Sequence, residues 1–194
     1  MNNPDTKLID LIHVEKGIMS PDLCDIVIKD IETREWEKHS WYDTLDGECK
    51  SEDTKELDVQ HNNSDLQSSL SPIMNHVAST YVKKYSYKQA YHTQTVMTMY
   101  SPMRFNRYSN GQIMRQHHDH IYSLFDGEAK GIPVLSFILN FNDDYEGADL
   151  YFWNDYKIPL GKGDVVIFPS LFLFPHGVTE ITKGIRYSGV SWSW

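Results

Sequence analysis

The stretch Arg107-Tyr-Ser-Asn-Gly-Gln-Ile-Met-Arg-Gln-His-His-Asp-His120 decides how this chain is read. Within it, His117 and Asp119 stand two residues apart. If Met114 to Ile121 is a β-strand, both side chains point to one face, because strand side chains alternate with period 2. An imidazole and a carboxylate on one face make half of a metal site. The completing ligand is expected at His176, in Phe174-Pro-His-Gly-Val178. Ten residues further on, Arg186 stands in Lys183-Gly-Ile-Arg-Tyr187. Its planar guanidinium is suited to holding a ligand carboxylate through two parallel N–H···O bonds.

Working outward from this stretch, the texture is that of short strands. Thr95 to Tyr100 alternates, and Phe105 to Tyr108 leads into Ser109-Asn110-Gly111, a hairpin-type turn signal. After the metal strand come a polar loop over Ser123 to Gly131 and a strongly apolar strand over Val134 to Phe141. A turn at Asn142 to Gly147 precedes an alternating run from Ala148 to Trp153. Gly161-Lys162-Gly163-Asp164 is a tight turn before Val165 to Phe168, and Ile185 to Trp194 closes the chain. Many short strands separated by regular turns indicate a sandwich or barrel.

The N-terminal half reads differently. Leu8 to Val14 is a short apolar run, expected as a strand. Ser20 caps a helix that Pro21 opens, with Leu23, Ile26, Val27 and Ile31 at helical spacing, which predicts a helix over 21–33. Trp36 and Trp41 follow as core or hinge aromatics. Leu66, Leu70, Ile73, Met74, Val77, Tyr81 and Tyr85 define a second helix, which Pro72 either kinks or restarts after a Ser71 cap. Between the helices, Asp43 to Asn63 is acidic and weakly periodic. It is either a solvated loop with an edge strand near Leu57 or a flap over the site, since loops of this length are uncommon without a role. The acidity of Asp43 to Asp58, as a flap, points to a basic peptide as its guest. The expected architecture is mainly β with N-terminal helices: a double-sheet jelly roll buttressed by two helices. Residues 1–194 form one domain, with 1–92 as helical support and flap and 93–194 as the jelly-roll core.

Composition bounds the function. The chain has 194 residues, of which 40% are hydrophobic and 13% aromatic, enough for a real core. A formal net charge of −9 and the lack of any basic run argue against tracking a nucleic-acid backbone. Two cysteines, Cys24 and Cys49, make no disulfide framework, and Cys24 falls in the apolar pattern of the first helix. No apolar signal core opens the sequence and no segment reaches the length of a membrane span. The expected setting is cytoplasmic, without membrane or nucleic-acid partners.

A His-x-Asp pair arises often by chance, so the constellation matters more than the pair. Two His and one carboxylate on one side of a metal leave positions open, the ligand set of non-haem Fe(II) oxygenases. His176 and Arg186 are symmetric about Ile181, and a hairpin turning there would set them on neighbouring strands. Arg186 is either an exposed edge arginine or, given Ile185, Val190, Trp192 and Trp194 around it, a buried one. A buried arginine must be paired, whether by a ligand carboxylate or by a structural acid. His118 and His120 flank Asp119 on the opposite parity and are expected to face away from the metal.

Taken together, Arg107-Tyr108-x-x-Gly111-Gln112, His117-x-Asp119, His176 and Arg186 resemble the Fe(II)- and 2-oxoglutarate-dependent dioxygenase superfamily, and its prolyl 4-hydroxylase branch in particular. The similarity runs from about Met97 to the C-terminus, and Met19-Ser-Pro-Asp-Leu-Cys24 resembles that branch's helix opening. The resemblance implies a double-stranded β-helix with His117, Asp119 and His176 as iron ligands. It further implies Arg186 on the far carboxylate of 2-oxoglutarate, Tyr108 offering its hydroxyl to the cosubstrate, and Trp192 beside the substrate. Ala148 replaces a family glycine, Met114 stands where the branch has tyrosine, and Ile138 and Val190 are apolar where some relatives are polar.

The implied chemistry consumes 2-oxoglutarate and O2, with ascorbate as an accessory reductant, releases succinate and CO2, and hydroxylates an unactivated C–H. Asp119 favours hydroxylation over halogenation, which would need that carboxylate removed. Trp192, where nucleic-acid dealkylases carry a second arginine, argues against that branch. The leading expectation is a peptidyl-prolyl 4-hydroxylase of the procollagen-proline type, acting on a proline-containing peptide or protein. Hydroxylation of a free amino acid or other small molecule is the alternative, and a metal-binding jelly roll without turnover is the non-enzymatic one.

Overall fold

The computed structural model describes residues 7–43, 48–50, 55–61, 64–85, 99–119 and 133–194. A 3-10 turn (Leu8–Leu11) is followed by β1 (His13–Glu15), α1 (Pro21–Ile31), β2 (Glu37–Lys38), β3 (Trp41–Asp43), β4 (Glu48–Lys50), β5 (Asp58–Gln60) and α2 (Ser64–Tyr85). Then come β6 (Arg104–Ser109), β7 (Met114–His117), β8 (Leu135–Asn140), β9 (Glu146–Gly147), β10 (Leu150–Phe152) and β11 (Tyr156–Ile158). The last four are β12 (Val165–Pro169), β13 (His176–Val178), β14 (Ile181–Lys183) and β15 (Ile185–Ser193). A seven-stranded sheet runs β1-β12-β8-β15-β6-β5-β2 and faces a four-stranded sheet, β11-β10-β13-β7, with every named strand pair antiparallel. This is the mainly-β jelly roll with two helices that the sequence leads one to expect.

Both faces of the large sheet are covered, and alternation along its strands sorts them. Leu135, Phe137 and Leu139 of β8, with Val165 and Ile167 of β12, meet Cys24, Val27 and Ile31 of α1 and Leu70, Met74 and Val77 of α2. The intervening Ile138, Val166 and Phe168 face the small sheet and pack with Leu150, Phe152, Phe174 and Val178. A strand buried on both faces reads as a continuous apolar run, which is why β8 is so plain in the sequence. The residues of β8 that break that run, Ser136 and Asn140, lie on the inter-sheet face and prove to serve the site.

The two helices form for local reasons and stay for tertiary ones. The Ser20 hydroxyl accepts from the Leu23 N–H at 3.2 Å, with Pro21 at the first helical position. α1 ends at Ile31, two residues short of the expected limit, within ordinary fraying. α2 runs unbroken through Pro72, which sits on its exposed side, while the Ser71 hydroxyl donates to the Gln67 carbonyl at 2.7 Å.

Several expectations need correction. Leu8 to Val14 is not one strand: the first part is the 3-10 turn, capped by the Asp10 carboxylate on the Lys7 N–H at 2.8 Å and held by the Tyr81 hydroxyl on the Leu11 carbonyl. A short apolar run does not by itself distinguish these states. The segment near Leu57 is no edge strand, since β5 lies between β6 and β2 and Leu57, Asp58 and Gln60 are all buried. Its polarity is matched by tertiary partners: Asp58 pairs with Lys38 at 2.7 Å and Arg107 at 3.2 Å, and Gln60 donates to the Ile31 carbonyl at 2.7 Å. Much of the rest of the expected flap over 43–63 falls outside the described residues, as do 95–98 of the expected 95–100 strand and the 123–131 loop.

Asn110 and Gly111 do form a two-residue turn, with φ of 41° and 83° and a Gln112 N–H donated to the Ser109 carbonyl at 3.1 Å. It joins no hairpin, however: β6 belongs to the large sheet and β7 to the small one, so the turn is a corner between sheets. The metal strand is also shorter than expected, for β7 stops at His117.

Gly147 forms a second corner. At φ 77° it pairs with Ile181, and an added Cβ would sit on the Glu180 carbonyl oxygen and 3.0 Å from the Thr182 nitrogen. Gly147→Ala is therefore expected to cost about 3 kcal/mol, from left-handed backbone strain of about 1–2 kcal/mol plus overpacking. For a chain of this size that lowers the melting temperature by roughly 10 °C, which a thermal melt checks.

Candidate active site

His117 and His176 are brought together by strand pairing. They are cross-strand partners in the β7–β13 ladder, with ring centroids 4.4 Å apart. Asp119 reaches back from beyond the end of β7. Its Oδ1 lies 3.5 Å from His117 Nε2 and its Oδ2 3.7 Å from His176 Nε2. One ligand atom from each of the three lies within 4.8 Å of the others. His117 and Asp119 converge as strand alternation predicts, but the strand ends at His117, before Asp119.

The hydrogen bonds behind the rings fix which atoms face inward. His117 Nδ1 donates to the Arg115 carbonyl at 2.9 Å, and His176 Nδ1 donates to the Phe174 carbonyl at 3.0 Å. A carbonyl only accepts, so both rings carry their proton on Nδ1 and present the Nε2 lone pair to the centre, as metal-binding histidines do. Behind the carboxylate, the Ser136 hydroxyl donates to Asp119 Oδ2 at 2.6 Å and lies 2.7 Å from the Ser170 hydroxyl. Phe152 and Phe168 wall the His176 ring at centroid distances of 5.5 and 4.8 Å.

Electrostatics favour a neutral imidazole beside an ionised carboxylate, the protonation state a divalent metal requires. Burial pushes His176 down from 6.5 to about 4. Burial alone would push the Asp119 carboxyl up, but the adjacent His176 and His117 and the Ser136 hydroxyl outweigh it and hold the group well below the usual carboxylate range. Between pH 6.5 and about 4 the unfolded chain takes up a proton at His176 that the folded chain refuses. Stability of the metal-free protein is therefore expected to fall as pH drops through that window, by up to about 3 kcal/mol from this group. Asp119 adds a further loss in the same direction below its unfolded pKa, so melts from pH 7 to 4 read the His176 slope and melts below pH 4 add that of Asp119.

Arg186 is 1% exposed and sits on β15, the central strand of the large sheet. The expectation that it neighbours His176 on a hairpin is wrong. β14 pairs with β9, and at Gly184 (φ 78°) the chain leaves for the large sheet, so Arg186 faces the triad from the opposite sheet. Its Nε donates to Asn140 Oδ1 at 3.0 Å and its Nη1 to the Ala148 carbonyl at 3.1 Å. Ala148 holds that carbonyl from a left-handed φ of 49°, at the position where the resemblance expects glycine. Tyr108 is the cross-strand partner of Arg186, buried, with its ring 5.4 Å from the guanidinium carbon. Burial pushes its hydroxyl pKa up, so it is a neutral donor. Among the described residues no carboxylate pairs with Arg186, although a buried guanidinium calls for one. The donor set and this missing anion together fit a metal and an acidic cosubstrate.

A cavity between the sheets is lined by His117, Asp119 and His176 together with Arg104, Tyr108 and Arg186. A larger, open hollow between Tyr151, Trp153 and Lys157 on the outer side of the small sheet contains none of the triad. Trp192 is the register partner of Ser136, whose hydroxyl holds the Asp119 carboxylate, and it carries the Arg104 guanidinium 5.4 Å above its ring. His118 is exposed, consistent with facing away, and His120 lies outside the described residues. Arg107 belongs to the helix side, over Trp36 and paired with Asp58. Sequence reasoning missed Ser136, Asn140 and Arg104. The first two could have been found as the polar residues on one face of an otherwise apolar strand.

Residues 103–194 match the family model described as the 2OG-Fe(II) oxygenase superfamily. Over 127 residues the chain is 29% identical to a PKHD-type hydroxylase of Acinetobacter baumannii, a match spanning 62% of this chain and 55% of that protein. The chain thus spans about half the length of that curated relative. In fold it is similar to a prolyl-4-hydroxylase of Pseudomonas putida, with a TM-score of 0.67 at 15% identity over 94% of this chain and 91% of that one. A prolyl hydroxylase of Trichoplax adhaerens, solved with a peptide fragment of the hypoxia inducible factor oxygen degradation domain, gives 0.66 at 11% identity, over 95% and 83% of the two chains. In sequence the C-terminal half of this chain is similar to the 2OG-Fe(II) oxygenases, and its fold is built like that of the prolyl-4-hydroxylases. No helix among the described residues is long and apolar enough to cross a membrane.

Proposed function

We propose that this chain is a cytoplasmic Fe(II)- and 2-oxoglutarate-dependent dioxygenase that hydroxylates a prolyl residue of a peptide or protein, with residues 1–194 acting as one domain. The observation that carries the reading is one cavity holding both a buried His-Asp-His triad and a buried arginine that no acidic side chain among the described residues neutralises. His117, Asp119 and His176 would hold the metal and Arg186 the far carboxylate of 2-oxoglutarate. Iron with 2-oxoglutarate and O2 supplies the oxidising power that converts C–H to C–OH as succinate and CO2 leave.

The chain's own residues set the geometry. Asn140 and Ala148 spend the Nε and Nη1 protons of Arg186 and so orient the fork toward the ligand. Tyr108 stacks against it and offers a neutral hydroxyl. Ser136 engages Asp119 Oδ2 and so keeps the carboxylate from swinging. Ile138, Val190, Phe152 and Phe168 keep the surroundings apolar and water out. Trp192, next to Ser136, forms the wall nearest the substrate. The choice of a peptidyl proline is supported by the prolyl hydroxylases of the same build, one of them solved with a peptide.

The test is incubation with Fe(II), 2-oxoglutarate, ascorbate and a panel of proline-containing peptides, following succinate and peptide mass. Succinate with one oxygen gained on proline is the expected result. Succinate released while no peptide gains oxygen would overturn the peptidyl-proline assignment and point to a small-molecule substrate.

A further inference from the structure

The strand that carries His117 is bulged beside the metal site. His117 faces His176 and Met114 faces Val178, so Arg115 and Gln116 together oppose the single residue Gly177. A bulge takes a residue out of the ladder and re-aims its backbone and side chain. Here the re-aimed group is the Arg115 carbonyl, which accepts from His117 Nδ1 at 2.9 Å. Gly177 leaves room for the bulge because it has no side chain. A Cβ there would lie 2.8 Å from the Met114 carbonyl oxygen and 2.6 Å from the Tyr151 hydroxyl. The orientation of the His117 ring thus rests on backbone outside the regular ladder.

The bulge is tied from two sides. On one, the 55–56 segment runs beside the start of β7: the Ile113 N–H donates to the Lys55 carbonyl at 2.8 Å, and Glu56 bridges to Ile113. The Glu56 carboxylate, 2% exposed, pairs with Arg115 Nε at 3.2 Å, and its other oxygen lies 3.3 Å from His39 Nδ1. On the other side, Gln116 donates its side-chain amide to the Trp153 carbonyl. The Trp153 N–H in turn donates to the Pro175 carbonyl, one residue before His176.

A carboxylate buried as deeply as that of Glu56 must be paired, and removing one partner of such a pair leaves an uncompensated charge. Burial of Glu56 therefore holds the Arg115 side chain in place, and with it the bulged residue. Resting on the metal reading of the triad, we propose that Glu56 is a positioning residue for His117. Its pair with Arg115 keeps the bulge in the geometry that turns the Arg115 carbonyl onto Nδ1 and leaves the Nε2 lone pair for the metal. Glu56 comes from the acidic stretch between the helices, and its charge, like that of Asp58, is matched within the protein.

The test separates ligand orientation from stability. Mn(II) affinity is measured by titration of wild type, Glu56→Gln, Arg115→Gln and the double variant. Outer partners of metal-bound histidines are worth about 10–100-fold in affinity. Glu56 acts one step further out, so each single variant should lose about 10-fold. Both changes break one link, so the double variant should lose no more than a single one. Arg115→Gln alters a half-exposed side chain and carries the test alone should Glu56→Gln fail to fold.

The metal-free proteins give a second readout. At about pH 8, where imidazoles are neutral, nitrogen NMR reports which ring nitrogen carries the proton. In wild type both His117 and His176 should be protonated on Nδ1. In the variants His117 should become a mixture of tautomers, while His176, bonded to the Phe174 carbonyl outside the bulge, stays as it was. A role in stability alone lowers the melting temperature and moves neither quantity. An unchanged Mn(II) affinity, an unchanged His117 tautomer, additive losses in the double variant or equal disturbance of both rings would overturn the proposal. A wild-type chain that binds no Mn(II) would overturn the metal reading first and this inference with it.

Discussion

Arg186→Met is expected to weaken 2-oxoglutarate binding by about 30-fold or more while moving the ligand-free melting temperature by only a few degrees. The binding loss follows from truncating one partner of a buried, hydrogen-bonded charge pair, which costs about 2–5 kcal/mol, or roughly 30-fold to several thousand-fold. The near-neutral fold follows from two opposed terms. In the ligand-free chain the guanidinium is buried without an anion among the described residues, so removing it relieves a desolvation penalty of several kcal/mol. Removing it also takes donors from Asn140 Oδ1 and the Ala148 carbonyl, and each buried acceptor left unsatisfied costs about 1–3 kcal/mol. The terms are of similar size and methionine fills much of the volume. A ligand that binds only the native state raises stability in proportion to ln(1 + [L]/Kd). Thermal melts against 2-oxoglutarate concentration therefore read both quantities at once. An undiminished thermal shift in the variant would show that the dicarboxylate sits elsewhere. Arg186→Lys should fall between the two, because an ammonium keeps the charge without the two-pronged geometry.

The sequence made the strands and the ligand types legible because their signals are local. Period-2 alternation and the apolar runs of β8 and β12 report burial directly, and Ser20-Pro21 announces a helix start through a side-chain cap. The triad could be read from spacing and from the resemblance. What lay hidden was set by tertiary partners. Asp58 and Gln60 look like loop residues until Lys38, Arg107 and the Ile31 carbonyl are beside them. The crossing between sheets at Asn110-Gly111 and at Gly184 decides that Arg186 faces the triad across the cavity, not along a hairpin. A turn signal states that the chain reverses; it does not state which sheet receives the next strand. Ser136 and Arg104 escaped notice for a related reason. Neither is a metal ligand, and their value depends on Asp119 and Trp192, which no sequence spacing connects to them.

His176→Ala is expected to weaken divalent metal binding by more than about 100-fold, the upper end of what outer-shell partners alone are worth. It should abolish 2-oxoglutarate turnover with it. Of the two histidines, His176 is the less able to be replaced by solvent, for its side chain is 6% exposed, against 30% for His117, and two phenylalanines enclose it. Loss of the imidazole leaves a void between Phe152 and Phe168, and a large-to-small change in such a setting costs about 2–4 kcal/mol in its own right. A lower melting temperature alone would therefore say nothing about the metal. The discriminating quantity is the rise in melting temperature on adding Fe(II), or Mn(II) as a redox-stable probe, which reports binding by mass action regardless of where the ligand-free protein starts. The wild-type chain and His118→Ala, which alters an exposed histidine outside the cavity, should both respond to metal. His117→Ala and His176→Ala should not. Equal metal responses in His176→Ala and His118→Ala would dissolve the triad, since the two residues would then be interchangeable to the ion despite one being buried at the centre and the other facing solvent.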